Sequence, residues 1–407
     1  MTQEYAPAHE HPSLGRARGM SGPLALLFSV ACGLAVANVY FAQPLLEVIA
    51  DDFSMSYATI GVVITVTQIG YGLGLLLIVP LGDLLNRRRL VVGQSVLSAL
   101  ALLAVALAPT GPLLLAGMAA VGVLAVVTQV LVAYSAFLAR PADRGRMVGT
   151  VTSGIIIGIL LARTVSGGLA DLAGWRSVYA VSSAATLVMA GLLYAALPRD
   201  VARPRIRYPV LIRSVFRLFV EVPVLRTRAV LALLIFTAIM VLLTPMALPL
   251  SAAPWQLSTT QIGLFGLAGA AGALAASYAG RMSDRGHAQR TTGIGLAIML
   301  GSWLPIALLP HSLWGLIVGV LAIDYGLQSV HVANQSLIYR VRPEAQSRLT
   351  AGYMIFYSIG CALGSIGSTL VYAWAGWSGV CVLGGAVSLC ALIFWALTRH
   401  GEMQCLG

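Results

Sequence analysis

Asp324, Gln328, His331 and Gln335 recur at i, i+4, i+7 and i+11 within a single apolar run. At 100° per residue they share an arc of about 60° on a helix and extend roughly 16 Å along its axis, with Asn334 at the flank. That length is about half the hydrocarbon thickness of a bilayer. Ionisable groups at such depth are costly and are retained where they serve a function. A polar stripe of this length is expected to face a water-filled cavity rather than lipid. Carboxyl and imidazole groups bind and release protons reversibly. Asp324, assisted by His331, is therefore the candidate carrier of a coupling proton. The competing use is a polar network that holds this part of the chain together.

Arg163 stands well inside another apolar run, near its middle. It could bind an anionic group on a solute or pair with Asp324, and a purely structural ion pair is the alternative. Amides and phenols form a third set. Tyr40, Gln43 and Glu47 fall on one face at i, i+3 and i+7, Asn38 lies one turn below Gln43, and Pro44 is expected to kink the helix. Gln68, Tyr71, Thr128 and Gln129 add further polar groups. Asn38, Tyr40, Gln43, Gln68, Gln129, Arg163, Gln328, Asn334 and Gln335 are expected to line a solute site, with helix–helix hydrogen bonding as their other use. Tyr353 and Tyr357 could face the solute or simply pack. Glu47, Asp51 and Asp52 are expected at a solvated rim. The five cysteines show no paired spacing, and no metal site, cofactor or disulfide framework is expected.

The elements that position these groups follow from composition. The chain has 407 residues, 58% hydrophobic and 10% charged, with 43 glycines and a mean hydropathy of +0.89. Soluble proteins carry about a quarter charged residues, so soluble enzymes, disordered chains and disulfide scaffolds are excluded. Spans of about 20 residues fall near 22–46, 57–82, 90–108, 112–137, 147–172 and 176–197, then 229–251, 260–280, 291–309, 313–338, 349–374 and 378–398. The expected fold is all-α, with twelve transmembrane helices. Residues 1–21 read as a disordered tail, and the first span as an uncleaved anchor.

All 25 basic residues are arginine, and the formal charge is +11. The arginines sit between apolar runs rather than on a basic face, so no nucleic acid partner is expected. Three lie in 87–89, three in 140–146, eight in 199–228, three in 281–290 and three in 340–348. The alternating connections carry none, apart from Arg176. This asymmetry predicts a multi-pass protein of the cell (inner) membrane with both termini cytoplasmic.

The chain also repeats itself at an offset of about 202 residues. Ser56, Ile60, Gly61 and Gly70 fall on Ser258, Ile262, Gly263 and Gly272. Arg140-Pro141 falls on Arg342-Pro343, and Gly174-Trp175 on Gly376-Trp377. The expected organisation is a tail (1–21), a six-helix bundle (22–198), an Arg-rich linker (199–228), a second six-helix bundle (229–398) and a tail (399–407). Six is even, so the halves are parallel and related by an axis along the membrane normal.

Loop sequences at equivalent places in the two halves carry a family resemblance. Gly82-Asp83-Leu84-Leu85-Asn86-Arg87-Arg88 keeps the aspartate and both arginines of the pattern G-x-x-x-D-R-x-G-R-R. Gly280-Arg281-Met282-Ser283-Asp284-Arg285-Gly286 keeps its first glycine and the Asp-Arg pair. In these loops, and over nearly the whole chain after the tail, the protein resembles the major facilitator superfamily. The resemblance implies two pseudo-twofold-related bundles with spans 1, 4, 7 and 10 lining a central cavity. It also implies a conformational latch at Asp83, Arg87 and Arg88 and at Asp284 and Arg285. A carboxylate at a helix end, paired with guanidinium groups, suits that role. The Gly-Pro antiporter signature of span 5 is represented by Gly154, Gly158, Gly167 and Gly168 without its proline, and Met118 stands where span 4 often carries an arginine.

The expected function is secondary transport of a small organic solute by alternating access, as proton-coupled export resembling the drug-and-metabolite exporter branch. A proton-linked importer or facilitator of an organic acid or other metabolite is the runner-up. An intramembrane enzyme or sensor is disfavoured, since the sequence shows no nucleophile–base spacing, metal-ligand cluster or appended soluble domain. The expected partners are a small-molecule substrate, protons and the lipid bilayer, with the protein acting as a monomer.

Overall fold

A segment buried in hydrocarbon satisfies its N–H and C=O groups only by bonding along its own helix, which is why these apolar runs coil as they do. The computed structural model describes residues 20–140, 143–198, 208–268, 278–279, 281–282, 285–341 and 346–406, which are almost wholly helical. Gly22–Tyr40, Tyr57–Leu77, Arg87–Ala106, Gly111–Ala125 continuing as Val127–Leu138, Arg144–Ala173 and Trp175–Ala196 form the first six spans. Pro223–Leu243 is span 7, and Leu313–Val341 is span 10. Spans 11 and 12 lie within Gln346–Leu406, on either side of Gly376.

Nine segments among the described residues are long and apolar enough to cross a bilayer, and one of them, Arg348–Arg399, contains spans 11 and 12 together. The difference from twelve has two further sources. Span 9 is broken into Ala288–Gly301 and Trp303–Ile306. Span 8 begins with Thr259–Leu264 and Phe265–Ala268, and much of its remainder lies outside the described residues.

Local chemistry sets the helix ends. Asn86 caps span 3 by accepting from the backbone N–H of Arg89 (3.0 Å), and Ser258 forms a capping box with Gln261. The repeated Gly-Trp pair marks the same corner twice. Gly174 has φ +79° and Gly376 φ +61°, a backbone region that favours glycine. Each following tryptophan pins its corner through the indole N–H, Trp175 to the Asp52 carboxylate (3.1 Å) and Trp377 to the Ile306 carbonyl (3.0 Å). Asp52 also pairs with Arg176, so the solitary arginine of the Arg-poor side is answered there. Span 1 breaks where Pro44 withholds its N–H. A turn at 41–42 and a 3-10 turn, Gln43–Leu45, lead into Leu46–Phe53.

In the first half, span 1 packs on span 5, span 2 on span 4 and span 3 on span 6. In the second half, span 7 packs on span 11, and span 9 on spans 10 and 12. Glycines let the backbones touch. A Cβ added at Gly158 would lie 2.3 Å from the Gly33 carbonyl oxygen, and Gly154 meets Ser29 as closely. Gly70 and Gly74 lie against the backbone of Ala119 and Val123, and Gly360 and Gly364 against the carbonyls of Leu233 and Thr237.

Different glycines join the two halves, through span 2 on span 11 and span 5 on span 8. Gly61 abuts Ser365 and Thr369, Gly167 abuts Thr259, and Gly263 abuts Arg163. Asp171, at the end of span 5, accepts from the backbone N–H of Thr260 (2.9 Å) and from the Thr259 hydroxyl across that seam. These inter-half contacts run from mid-membrane to the Arg-poor end. The linker contains a helix, Tyr208–Glu221, which reaches span 2 through Tyr208 (2.6 Å to the Leu77 carbonyl) and span 11 through Phe219 on Phe356.

The two glycine classes predict separable outcomes. Gly158→Leu overpacks the first bundle and should cost about 1–3 kcal/mol, read as a lower thermal unfolding midpoint in detergent. Gly61→Leu should leave that midpoint nearly unchanged. It should instead lengthen the electron-resonance distance between spin labels at positions 51 and 374 on the Arg-poor rim. Asp171→Ala should lengthen the same distance, because the cap it removes spans the seam.

Candidate functional site

The break in span 1 turns Tyr40 and Gln43 toward the second half. The Tyr40 hydroxyl bonds the Tyr357 hydroxyl of span 11 at 2.6 Å, and Gln43 Nε2 donates to Met240 Sδ of span 7 at 3.6 Å. Arg163, from span 5, donates through Nε to Gln43 Oε1 at 2.7 Å, and its guanidinium lies 6.0 Å from the Tyr40 ring centroid. Asp324, from span 10, lies near enough to interact with the Arg163 guanidinium through space, without a direct ion pair among the described residues. Arg163, Gln43, Tyr40 and Tyr357 thus gather where the halves face each other, and Asp324 acts on them through its charge near Arg163. Four helices of different origin supply them.

An aromatic cluster borders this group. The Tyr357 ring packs on Phe236 with centroids 4.2 Å apart, and Phe236 stands edge-on to His331 at 5.3 Å. Tyr71 of span 2 meets Tyr357 at 6.3 Å, and its hydroxyl accepts from Gln129 Nε2 at 3.3 Å. Spans 1, 2, 4, 5, 7, 10 and 11 therefore contribute to one connected set of polar and aromatic side chains.

The remaining expected residues divide. Gln328 and Gln335 are half-buried on the stripe beside Asp324 and His331. Gln68 is enclosed, with its Oε1 unpaired among the described residues. Asn38 turns away from the interface and accepts from the Ser182 hydroxyl of span 6 at 2.5 Å, an interhelical bond within the first half. Asn334 is enclosed and faces its own half, where Oδ1 accepts from Arg228 (3.1 Å) and Nδ2 donates to the Tyr353 hydroxyl (3.4 Å). Glu47 stands on the separate segment Leu46–Phe53, beyond the break.

Arg228 is the residue that sequence reasoning counted with the linker. Span 7 begins at Pro223, six residues before the expected edge at 229, and this brings Arg228 inside the fold at 0% exposure. Its donation to Asn334 and to the Thr292 hydroxyl (3.4 Å) ties the starts of spans 7 and 9 to span 10. The signal available in the sequence was Pro223, a residue suited to the first turn of a helix.

At the expected latch, Arg87 donates through Nε to the Gly82 carbonyl (3.2 Å) and lies over the rings of Tyr134 and Phe137. Arg88 donates to the Tyr194 carbonyl (2.5 Å) and lies over that tyrosine's ring. Arg285 is exposed. Asp284 and the side chain of Asp83 lie outside the described residues.

Known proteins share this organisation. The chain is 46% identical over 383 residues to the uncharacterized transporter YgaY of Escherichia coli O157:H7, covering 94% of this chain and 97% of that one. It is 23% identical over 380 residues to a "Probable sugar efflux transporter" of Helicobacter pylori (strain P12), covering 91% and 93%. Its fold matches the crystal structure of a bacterial homologue of the human lysosomal transporter Spinster, inward-facing and unoccupied. That match has a TM-score of 0.77 at 16% identity and covers 93% of this chain and 97% of the other. The family model for the Major Facilitator Superfamily matches residues 27–254 and 229–403, so both halves are included. The chain belongs to the Major Facilitator Superfamily, as a multi-pass membrane transporter with a helical major facilitator fold.

Proposed function

We propose that this transporter exports a small organic solute in exchange for protons, with Asp324 as the proton carrier and the solute bound against Arg163, Gln43, Tyr40 and Tyr357. The observation that carries the reading is the cluster of Arg163, Gln43 and Tyr40 from the first half with Tyr357 from the second, on which the charge of Asp324 acts through Arg163. Ionised, Asp324 attracts the guanidinium and favours closure of the halves around it. Protonated, it releases that attraction and leaves Arg163 free to engage the solute. Proton and solute then compete for one cross-interface pair, which is the linkage an exchanger needs. A membrane-embedded charge pair is also the setting in which small changes in protonation move large electrostatic energies.

Export is supported by the sugar-efflux designation of one relative and by the general resemblance to exporters. Orientation follows from arginine, with the Arg-rich connections and both termini in the cytoplasm of an inner-membrane protein. On that orientation the seam around Asp171, Gly61 and Gly167 is the outer gate, drawn shut in this conformation. The transporter acts as a monomer, with its pathway between its own two halves. The latch assigned to Asp83, Arg87 and Arg88 and to Asp284 and Arg285 would control the opposite, cytoplasmic gate.

A second reading, proton-linked import or facilitated movement of an organic acid, is favoured by Arg163 itself. A guanidinium held at the interface by Gln43 is a ready partner for a carboxylate.

Purified protein in liposomes separates these readings when offered sugars, drugs and organic acids while lumenal pH is recorded. Export by exchange predicts proton movement opposite to the solute, abolished in Asp324→Asn. Proton movement in the same direction as an organic acid would establish the second reading. Solute movement unchanged in Asp324→Asn and independent of pH would overturn the assignment of Asp324. Arg163→Gln should weaken apparent solute affinity by tenfold or more, since charge-assisted bonds are worth about 1.5–3 kcal/mol. Unaltered affinity would remove Arg163 from the site.

A further inference from the structure

Span 9 has a face that the transport pathway does not use. Arg290, Ile294, Ala297, Gly301, Leu304 and Leu308 recur at i, i+4, i+7, i+11, i+14 and i+18, and all are exposed. An exposed apolar row on a spanning helix is its lipid-facing side, because acyl chains cover it at no hydrophobic cost. The adjoining side packs on span 10. A Cβ added at Gly295 would lie 2.9 Å from the Gly326 carbonyl oxygen and 3.4 Å from Ser329 Cβ. Beside this contact is a cavity of about 220 Å³. Among the described residues it is lined by Tyr278 of span 8, Arg290, Thr291 and Ile294 of span 9, and Tyr325 and Ser329 of span 10. Ile294 is 52% exposed and Tyr278 48%, so the mouth opens on the lipid-facing surface. On span 10, Tyr325 and Ser329 each follow a member of the polar stripe, Asp324 and Gln328, and so face about 100° away from it. The cavity is separate from the cluster around Arg163.

The polar groups of the cavity sort by depth. Arg290 is the third residue of Ala288–Gly301, at the Arg-rich end, where Arg281 and Arg285 are also exposed. Tyr278 lies near the same end of span 8. Gly295 is five residues further in than Arg290, about 7.5 Å along the axis. Thr291 and Ser329 give their hydroxyl hydrogens to their own helices, at the His287 carbonyl (3.1 Å) and the Tyr325 carbonyl (2.8 Å). The Arg290 guanidinium and the hydroxyls of Tyr278 and Tyr325 bond no protein group among the described residues. The cavity therefore presents a cation and two phenols whose donors call for an acceptor from outside the chain.

We propose that this cavity seats an anionic glycerophospholipid from the leaflet at the Arg-rich end, with its phosphate on Arg290 and Tyr278, its ester carbonyls toward the Tyr325 hydroxyl and an acyl chain over Ile294. A phosphodiester has two non-bridging oxygens that match the guanidinium fork. A basic pocket between spanning helices, at their charged ends, is where acidic headgroups are held. A zwitterionic lipid carries the same phosphate but sets a second cation among Arg281, Arg285 and Arg290. A free phosphate has no use for the exposed Ile294 at a mouth that opens on acyl chains. The seat depends neither on the direction of transport nor on Asp324.

Native mass spectrometry of the purified full-length protein, offered equal amounts of phosphatidylglycerol and phosphatidylcholine, reads the preference. Wild type should retain phosphatidylglycerol about fivefold over phosphatidylcholine, as one arginine near the membrane surface supplies. Arg290→Gln should lower that retention about tenfold, and Tyr278→Phe about threefold. Arg226→Gln removes an exposed arginine on span 7 and should leave it unchanged. Equal retention of the two lipids overturns the proposal. So does an equal loss in Arg226→Gln and Arg290→Gln, which would mean diffuse surface charge alone. Displacement of the lipid by a large excess of inorganic phosphate would make the cavity a free-phosphate site and would overturn it too. Phosphatidylglycerol with a diazirine at the start of one acyl chain should label span 9 around Ile294, and label confined to other spans would contradict the seat. An unchanged thermal midpoint without added lipid shows that Arg290→Gln is folded. None of these readings involves transport, so failure of proton coupling in Asp324→Asn bears on the proposed function alone.

Discussion

A guanidinium in the middle of a bilayer must be answered by the protein around it, because lipid offers neither a counter-charge nor an acceptor. Arg163 meets that demand from two sides. Gln43, in its own half, takes its Nε–H directly, and the charge of Asp324, in the other half, acts on it without a direct bond. The second answer depends on the relative placement of the two bundles. A charge whose stabilisation is shared across a mobile interface couples the position of the halves to whatever alters that charge. Proton and solute are the agents proposed here.

The rest of the architecture keeps the interface free to act. Within each bundle, glycines bring backbones into contact at Gly33 with Gly158, Gly70 with Ala119 and Gly360 with Leu233, so each half behaves as a packed body. Between bundles, close glycine contacts at Gly61, Gly167 and Gly263 are joined by polar ones, as with Asp171 on the start of span 8 and Tyr40 on Tyr357. The polar contacts can be exchanged for others at little net cost, which dense core packing does not allow. Arg228 belongs to the first class. It braces the second bundle from inside, through Asn334 and Thr292.

Much of this was legible in the sequence, because the bilayer restricts the choices. Hydropathy placed the helices to within a few residues at most edges. The repeat identified corners whose reason is now visible in the positive φ of Gly174 and Gly376. The polar stripe of span 10 singled out Asp324 and His331 by periodicity alone. What escaped depended on three-dimensional register. Asn38 read as cavity lining one turn below Gln43, but it lies in the unbroken helix before the turn and bonds Ser182 within its own half. Arg228 read as one loop arginine among eight, since hydropathy places a charge at the edge of an apolar run outside the membrane. Asp171 and Thr260 lie 89 residues apart and share no local signal.

Exchange at this interface turns on one carboxyl, Asp324, binding or losing a proton as solute binds. Binding calorimetry on purified protein, repeated in buffers of different ionisation enthalpy, counts that proton directly without any membrane gradient. Solute binding is expected to change protonation by up to one proton per transporter in the wild type, and by none in Asp324→Asn. Solute binding with the same proton change in both proteins would contradict it.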